Sequence, residues 1–177
     1  MRILFVGNPL RGHVNTMLAL ALAARAAGHR VAVASGPDMR PVIERHGLAA
    51  WCVGPTHEQL GGSRQTSWLD YFARSAASRA PELLARARAW QPELVVHEDT
   101  EFAGALVAAR SGAGHVVHGL GLMPSADSWA AFSGRLDALG RDFDAPDLAE
   151  RVRGATYLNV SPPALQGGAA PVWPRAL

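Results

Sequence analysis

Short runs rich in β-branched residues alternate along this chain with longer stretches rich in alanine and leucine. The runs have the length of buried strands and the stretches have the length of helices, and this alternation is typical of β-α-β units. Parallel strands connected in this way form a sheet that helices cover on both faces. The sequence therefore predicts the α/β class, with a Rossmann-like, doubly wound and mostly parallel sheet in three layers.

Glycines and prolines between the apolar segments set the predicted element boundaries. Strands are predicted over residues 2–6, 30–35, 49–53, 94–96, 115–118 and 156–160. A first helix is capped by Asn15 or Thr16 and runs to Ala27, and further helices are predicted over residues 38–46, 67–80, 81–90, 101–111, 128–139 and 146–153. Pro81 separates two of these helices, because its ring is tolerated in the first turn of a helix but not within one.

The chain has 177 residues, of which 49% are hydrophobic and 18% are charged, and this balance is typical of a globular domain. A chain of this size forms one compact core, so we expect a single domain over residues 1–160. Residues 161–177 contain proline and glycine without periodicity, and we expect the start of an interdomain linker there.

Cysteine usage and charge limit the compartment and the partners. Cys52 is the single cysteine and the N-terminus becomes polar too early for a secretory signal, so we expect a cytoplasmic protein. No apolar stretch approaches the roughly 20 residues of a membrane-spanning helix. The formal net charge is +2 and the arginines are scattered among carboxylates, so we expect neither membrane nor nucleic acid as a partner.

Polar residues follow two strands at the predicted carboxyl edge of the sheet, where ligands bind in open parallel sheets. Gly12 and His13 follow the first strand, and His97, Glu98 and Asp99 follow the fourth. Since these strands are expected to be neighbours, His13 and one carboxylate are expected to meet. A carboxylate on one ring nitrogen fixes the tautomer and leaves the other nitrogen to accept a proton.

The same residues have alternative structural roles. In one alternative, His13 is a loop histidine that hydrogen-bonds only to the backbone, and Asp99 or Thr100 caps the following helix. Glu98 and Asp99 face opposite sides if the strand continues through them, so we expect only one of them to orient His13. The sequence leaves open which one it is.

Large side chains near the same edge are candidates to line a broad apolar pocket: Trp68, Phe72, His118, Met123, Trp129 and Phe132. The alternative is that they are ordinary core residues, because large apolar side chains are more often core than pocket. Residues 54–66 are predicted to be a long loop at the rim of the binding site, since loops of this length in compact domains are commonly functional.

Phosphate-binding and metal-binding motifs are incomplete. The first loop has the glycine spacing of a P-loop, but His13 and Val14 stand where that motif has lysine and a serine or threonine. A dinucleotide-binding glycine motif is also absent from the sequence. His115 and His118 are expected to face opposite sides of a strand and so not to chelate together. We therefore expect no metal and no cofactor.

Several of these segments together resemble the N-terminal domain of natural-product glycosyltransferases with the GT-B fold. The segments are Arg-Gly-His-Val-Asn at residues 11–15 and Ala-Gly-His-Arg-Val at residues 27–31. Residues 93–98, Glu-Leu-Val-Val-His-Glu, resemble that family's strand ending in the acidic partner of the histidine. Residues 171–174, Pro-Val-Trp-Pro, are similar to the segment entering its interdomain linker. The resemblance covers essentially the whole chain.

The resemblance implies a domain that binds a hydrophobic aglycone such as a polyketide or macrolide. It implies that His13 removes a proton from an acceptor hydroxyl, that Glu98 orients His13, and that Gly12 and the pocket candidates bind the acceptor. In the family the oxygen attacks a nucleotide-sugar with inversion and without a metal, and a C-terminal domain holds that donor. Thr16 stands where the family often has proline, and Glu98 where many members have aspartate.

No segment of this sequence resembles the donor-binding domain, so we expect turnover only when such a domain completes the enzyme. The alternative prediction, from a different functional class, is a non-catalytic small-molecule or partner-binding module of Rossmann-like fold. An uncovered interdomain face further predicts self-association through exposed apolar surface.

Overall fold

The computed structural model of the protein describes residues 1–64, 67–166, 173 and 177. Within these residues, parallel strands form one six-stranded sheet in the order β3-β2-β1-β4-β5-β6. The strands are β1 (Arg2–Val6), β2 (Arg30–Ser35), β3 (Ala49–Cys52), β4 (Leu94–Glu98), β5 (Gly114–His118) and β6 (Thr156–Leu158). The doubly wound α/β prediction is confirmed, and the strand order reverses between β1 and β4, where such sheets bind ligands.

Helices cover both faces of the sheet: α1 (Arg11–Ala26), α2 (Arg40–Glu44), α3 (Trp68–Trp90), α4 (Phe102–Ser111), α5 (Ala126–Asp142) and α6 (Leu148–Arg153). Buried residues of α1 and α2 share a cluster with Ile3 and Phe5, whereas buried residues of α3 to α6 share one with Leu4 and Val6. The central strand β1 is therefore buried on both faces, as its apolar run requires. None of the helices in the described ranges has the length and apolar composition needed to cross a membrane.

Helix α3 is continuous through Pro81, so the prediction of two helices separated at this proline is wrong. A proline within a helix costs roughly 3 kcal/mol, because it lacks an N–H donor and crowds the preceding turn. Ala76, Ala80, Leu83 and Ala87 nevertheless recur at helical spacing and are all buried, on both sides of the proline. Packing of this uninterrupted stripe against the core outweighs the local cost.

Helix α1 begins earlier than predicted. Its first residue is Arg11, and Leu10 occupies the N-cap position without a side-chain hydrogen bond. Thr16, one of the two predicted caps, instead donates its hydroxyl to the carbonyl of His13, at 2.9 Å. His13 therefore lies in the first turn of a helix and not in a loop.

The junction between β4 and α4 also differs from the prediction. Strand β4 continues through His97 and Glu98, because both residues pair with β5. The cap of α4 is Glu101, and not Asp99 or Thr100, since the Glu101 carboxylate accepts hydrogen bonds from two backbone N–H groups of the first helical turn. The candidate carboxylate Glu98 is thus held by the sheet itself.

Other boundaries shift by a few residues. The predicted helix over 38–46 is a 3-10 turn, Pro37–Met39, followed by the short α2. The predicted helix over 128–139 starts at Ala126, because the Ser125 hydroxyl accepts a hydrogen bond from the backbone of the first turn. The loop over 54–66 ends in a 3-10 turn, Gly62–Arg64, and residues 65 and 66 lie outside the described residues.

Parts of the segment predicted as a linker, 161–177, contact the domain. A 3-10 turn covers Pro163–Leu165. Trp173 is fully buried, and its indole N–H donates to the carbonyl of Val152 at 2.9 Å. The backbone N–H of Leu177 donates to the carbonyl of Tyr157 at 2.8 Å. Residues 167–172 and 174–176 lie outside the described residues.

Candidate functional site

His13 and Glu98 meet where the strand order reverses. Glu98 is the last residue of β4 and its side chain is fully buried, whereas His13 projects from α1 with 17% of its side chain exposed. Nδ1 of His13 lies 2.9 Å from Oε1 of Glu98. The other ring nitrogen, Nε2, has no hydrogen bond to the part of the chain that the structure describes, so it is the nitrogen left for a ligand.

The Glu98 carboxylate receives hydrogen bonds at both oxygens. Besides His13, the side-chain amide of Asn8 donates to Oε1 at 2.7 Å. Oε2 accepts from the backbone N–H of Thr100 at 2.7 Å and from its hydroxyl at 2.6 Å. A buried anion requires such donors, because without them its desolvation is unfavourable.

The electrostatics of the pair give His13 the protonation pattern of a base. Burial favours the neutral form of Glu98, but hydrogen bonds and charge from His13 and Thr100 outweigh it and lower the pKa of Glu98 to about 2. Burial likewise opposes a charged His13, but Glu98 outweighs it and raises the pKa of His13 above its usual value. Glu98 is thus an anion that accepts a hydrogen bond from Nδ1–H, and a neutral His13 has its lone pair on Nε2.

Asp99, the alternative partner, is directed elsewhere. Its Oδ2 accepts hydrogen bonds from the Tyr157 hydroxyl at 3.0 Å and from the backbone N–H of Leu120 at 3.4 Å. Burial, together with the charge of Glu98, raises the pKa of Asp99 to about 7 despite these donors. The structure places Glu98 and not Asp99 against His13, because consecutive side chains at the end of a strand face opposite sides.

An aromatic surface lies next to His13. The ring centroids of Phe72 and His13 are 5.5 Å apart, and those of Trp68 and Phe72 are 6.1 Å apart. Phe72 is buried, whereas Trp68 is 53% exposed. Gly12 precedes His13 in α1, and the space that a side chain there would occupy is open. Two predicted pocket residues, together with Gly12, thus lie near the candidate base.

Two further candidates lie at or after the end of β5. His118 is buried and pairs in register with Glu98, and burial lowers its pKa. Met123 lies in the loop that follows, where its backbone N–H donates to the side chain of Gln166 at 3.0 Å. Both residues are at the same edge of the sheet as His13.

Trp129 and Phe132 pack within the domain and not against His13. The ring of Trp129 lies 4.9 Å from that of Trp173, and the ring of Phe132 lies 6.0 Å from that of Phe102. Among the described residues, no ring contact joins either of them to His13. Their contacts are those of the core-residue alternative stated for them above.

The sequence reasoning missed a buried ion pair behind the dyad. Nη2 of Arg79 lies 2.5 Å from Oε1 of Glu101 and 3.2 Å from Oδ1 of Asn8, and all three residues are fully buried. A signal for this pair was present, because Arg79 interrupts the apolar stripe of α3 between Ala76 and Leu83. A charged residue on such a stripe needs a buried partner.

It also missed a pair of histidines on β4 and β5. The Nε2 atoms of His97 and His115 are 2.7 Å apart, so one neutral imidazole donates to the other. Burial lowers the pKa of both, that of His115 to about 3. Within the described ranges, no cluster of three or more His, Cys, Asp or Glu side chains is arranged to hold a metal ion.

A cavity of about 440 Å³ lies at the opposite edge of the sheet. The last turns of α3, α4 and α5 line it, with an apolar floor that includes Ala87, Val107 and Phe143. Neither His13 nor Glu98 is among its lining residues, so this cavity is separate from the crevice that contains the dyad.

Comparisons with known proteins assign the domain type. The family described as "Erythromycin biosynthesis protein CIII-like, N-terminal domain" matches residues 58–167. The L-demethylnoviosyl transferase of Streptomyces niveus is 28% identical over 94% of this chain and 46% of its own length. The 10-deoxymethynolide desosaminyltransferase of Streptomyces venezuelae is 32% identical over 71% of this chain and 38% of its own length. The chain spans less than half the length of these curated relatives.

A solved structure extends the likeness to the fold. The glycosyltransferase SnogD from Streptomyces nogalater matches with a TM-score of 0.72 and 32% identity, over 96% of this chain and 46% of that one. The solved structures that match this chain are GT-B glycosyltransferases, and the chain corresponds to about half of each.

Proposed function

The chain belongs to the erythromycin biosynthesis protein CIII-like N-terminal domain family, and from that premise we propose that it is the acceptor-binding half of an inverting glycosyltransferase. The proposed acceptor is a hydroxyl of a hydrophobic natural-product aglycone, such as a polyketide or macrolide. The proposed donor is a nucleotide-sugar held by a C-terminal domain. The observation that best supports this function is the 2.9 Å contact between His13 and Glu98 where the strand order reverses.

In the proposed reaction, Nε2 of His13 accepts the hydroxyl proton as the acceptor oxygen attacks the anomeric carbon. The new carbon–oxygen bond forms opposite the nucleotide, the bond to the phosphate oxygen breaks, and its electron pair leaves with the nucleoside diphosphate. The anomeric configuration is therefore inverted. Glu98 stabilises the imidazolium, because its negative charge lies against Nδ1, and such a base contributes about 10²–10⁴-fold to the rate.

The acceptor surface in this proposal is the aromatic pair beside the base. Trp68 and Phe72 offer apolar contact within reach of His13, and the open space at Gly12 leaves room for a bulky aglycone. Large apolar side chains on segments at the same edge are exposed, namely Trp68, Leu122 and Leu165. We assign them to the face that meets the donor-binding domain, and this face mediates self-association when that domain is absent.

The test uses the complete enzyme, in which a donor-binding domain is joined to this chain. It is supplied with an aglycone and a TDP-activated sugar, the donor type named for a relative from Streptomyces peucetius. His13→Ala is expected to lower kcat by about a hundredfold or more while the acceptor KM changes little. His29→Ala, remote from the carboxyl edge, is the matched control and is expected to retain wild-type turnover. Wild-type turnover by His13→Ala would reject the role of His13 as the base, and absence of sugar transfer by the wild-type complete enzyme would instead favour a non-catalytic binding module.

A further inference from the structure

We propose that Asn8 is a positioning residue for the His13–Glu98 pair, and that the buried Arg79–Glu101 ion pair fixes the direction in which its amide faces. The inference rests on the proposed function, because it concerns how the candidate base is held. Asn8 does not contact the acceptor in this proposal. It acts through the carboxylate that orients His13.

Asn8 and His13 share one oxygen of Glu98. The Asn8 side-chain nitrogen lies 2.7 Å from Oε1 of Glu98, and the Asn8 backbone nitrogen lies 3.2 Å from the same atom. Nδ1 of His13 approaches that oxygen at 2.9 Å. The amide also donates to the carbonyl of Thr100 at 3.1 Å. The position and the basicity of Oε1 therefore depend on Asn8 as well as on His13.

Arg79 determines which end of the amide faces Glu98. A guanidinium group only donates hydrogen bonds, so the Asn8 atom that lies 3.2 Å from Nη2 of Arg79 is the amide oxygen. The amide nitrogen then faces Glu98. Rotation of the amide by 180° would turn two donors toward each other and would place its oxygen against the anionic Glu98.

Arg79 is itself held rigidly. It pairs with Glu101 at 2.5 Å, and a second guanidinium nitrogen donates to the carbonyl of Gly7 at 3.1 Å. Gly54, which has a φ of +66°, allows α3 to lie this close, because a Cβ there would come within 2.5 Å of Cγ of Arg79. A fully buried ion pair thus fixes the amide, and the amide fixes the carboxylate.

Removal of the amide is expected to change the basicity of His13 in a defined direction. The charged and titratable groups around the dyad are Asp99, which follows Glu98, Glu101 at the start of α4 with its partner Arg79 from α3, and His118 at the end of β5. Without the Asn8 donor, Oε1 is a stronger acceptor for the Nδ1 proton. The charged form of His13 is then better stabilised, so its pKa rises further.

The experiment compares the wild-type chain with Asn8→Leu, in which an apolar side chain of similar size excludes replacement water. The pKa and the tautomer of His13 are measured by NMR titration of its imidazole. We expect the pKa of His13 to rise by about half a unit to one unit, which is roughly half the effect of a lost hydrogen bond to a charged group, because the lost donor acts on His13 only through Glu98. Ser35→Ala is the matched control, because its buried hydroxyl donates to the Asn8 carbonyl and does not reach Glu98.

A second background tests whether the effect passes through the carboxylate. In Glu98→Gln, the change Asn8→Leu is expected to leave the pKa of His13 unaltered, since the anion on which both residues act is gone. A pKa of His13 that is equal in wild type and Asn8→Leu, or a shift that persists in Glu98→Gln, would overturn the proposal. If Asn8→Leu does not fold, Asn8→Ala removes the same donor and is expected to shift the pKa of His13 in the same direction by a smaller amount, because water can enter the vacated space.

In the complete enzyme, the acid limb of the kcat/KM profile of Asn8→Leu is expected to move to higher pH by the same amount. The proposed function and the positioning role of Asn8 can be rejected independently. Absence of sugar transfer by the wild-type complete enzyme would reject the proposed function and leave the NMR result standing. Absence of the NMR shift would reject the positioning role and leave the transfer activity standing.

Discussion

Glu98 and Glu101 are two buried carboxylates three residues apart, and they have different partners. Glu101 pairs with Arg79, whose side chain is fully buried and always charged, and it also caps α4. Glu98 pairs with His13, whose side chain is 17% exposed and exchanges a proton near neutrality. Burial of the acid is the same in both pairs. The partner therefore determines whether a buried carboxylate only stabilises the fold or can also take part in proton transfer.

Removal of the basic partner should destabilise the protein far more in the Arg79–Glu101 pair than in the His13–Glu98 pair. Arg79→Ala leaves Glu101 as an uncompensated buried charge, so we expect a loss of about 3–5 kcal/mol in the free energy of unfolding. His13→Ala is expected to cost less than about 2 kcal/mol, because Glu98 keeps its donors Asn8 and Thr100. Urea denaturation of both variants measures the difference. Equal losses would contradict the distinction drawn between the pairs.

Asp99 differs from both glutamates in how its ionisation affects stability, and the expected effect is smaller. Burial and the charge of Glu98 raise its pKa to about 7, whereas in the unfolded chain it ionises near pH ~3.9. Between about pH 4 and 7, Asp99 therefore ionises in the unfolded chain before it does in the folded one, and its contribution to stability becomes less favourable as pH rises. We expect Asp99→Asn to match wild type near pH 4 and to exceed it by more than about 1 kcal/mol at pH 8.

Urea denaturation at both pH values measures this gain. Asp127→Asn, the same substitution at an exposed position in the first turn of α5, is the control for the effect of replacing an aspartate by asparagine. A constant difference between Asp99→Asn and wild type across this range would show that Asp99 is ionised in the folded protein.

The smallest effect tests how well Glu98 is solvated by the protein. Thr100→Val removes the hydroxyl that donates to Oε2 at 2.6 Å and leaves the backbone donor in place. We expect a loss of about 1 kcal/mol and an acid-unfolding midpoint at higher pH, since the pKa of Glu98 rises when a donor to its anion is lost. The matched control is Thr16→Val, whose hydroxyl donates to the His13 carbonyl and, among the described residues, has no hydrogen bond to Glu98; it is expected to leave the midpoint unchanged.

Strand positions and the meeting of His13 with a carboxylate could be predicted from the sequence, because both follow from periodicity and from where parallel strands end. Periodicity alone could not choose between Glu98 and Asp99, since the choice depends on β4 continuing two residues further than its apolar run, and only the family resemblance implied Glu98. The continuity of α3 through Pro81 was also hidden, because tertiary packing there overrides a local rule. Arg79 gave a signal, but its partner Glu101 becomes apparent only when α3 and α4 are packed together.

The aromatic candidates show a second limit of sequence reasoning. Trp68 and Trp129 are both near carboxyl-edge loops in the sequence, yet only Trp68 is linked to His13 through Phe72. Trp129 packs on Trp173, a residue from the segment that the sequence predicts to be a linker. The sequence indicates that a residue lies near the carboxyl edge of the sheet. The direction in which its aromatic ring points depends on which distant segment of the chain packs against it.

The positions of Trp173 and Leu177 determine how far this end of the described chain lies from His13. Trp173 packs on the ring of Tyr157 and Leu177 donates to its carbonyl, so both residues lie at β6, the outermost strand of the sheet. The imidazole of His13 stands two to three strand spacings away, roughly 10–14 Å across the sheet. In the proposed enzyme, a donor-binding domain joined at this margin would have to bring its sugar inward over that width to meet the base. Under that proposal, the length of the linker between the two domains would affect turnover.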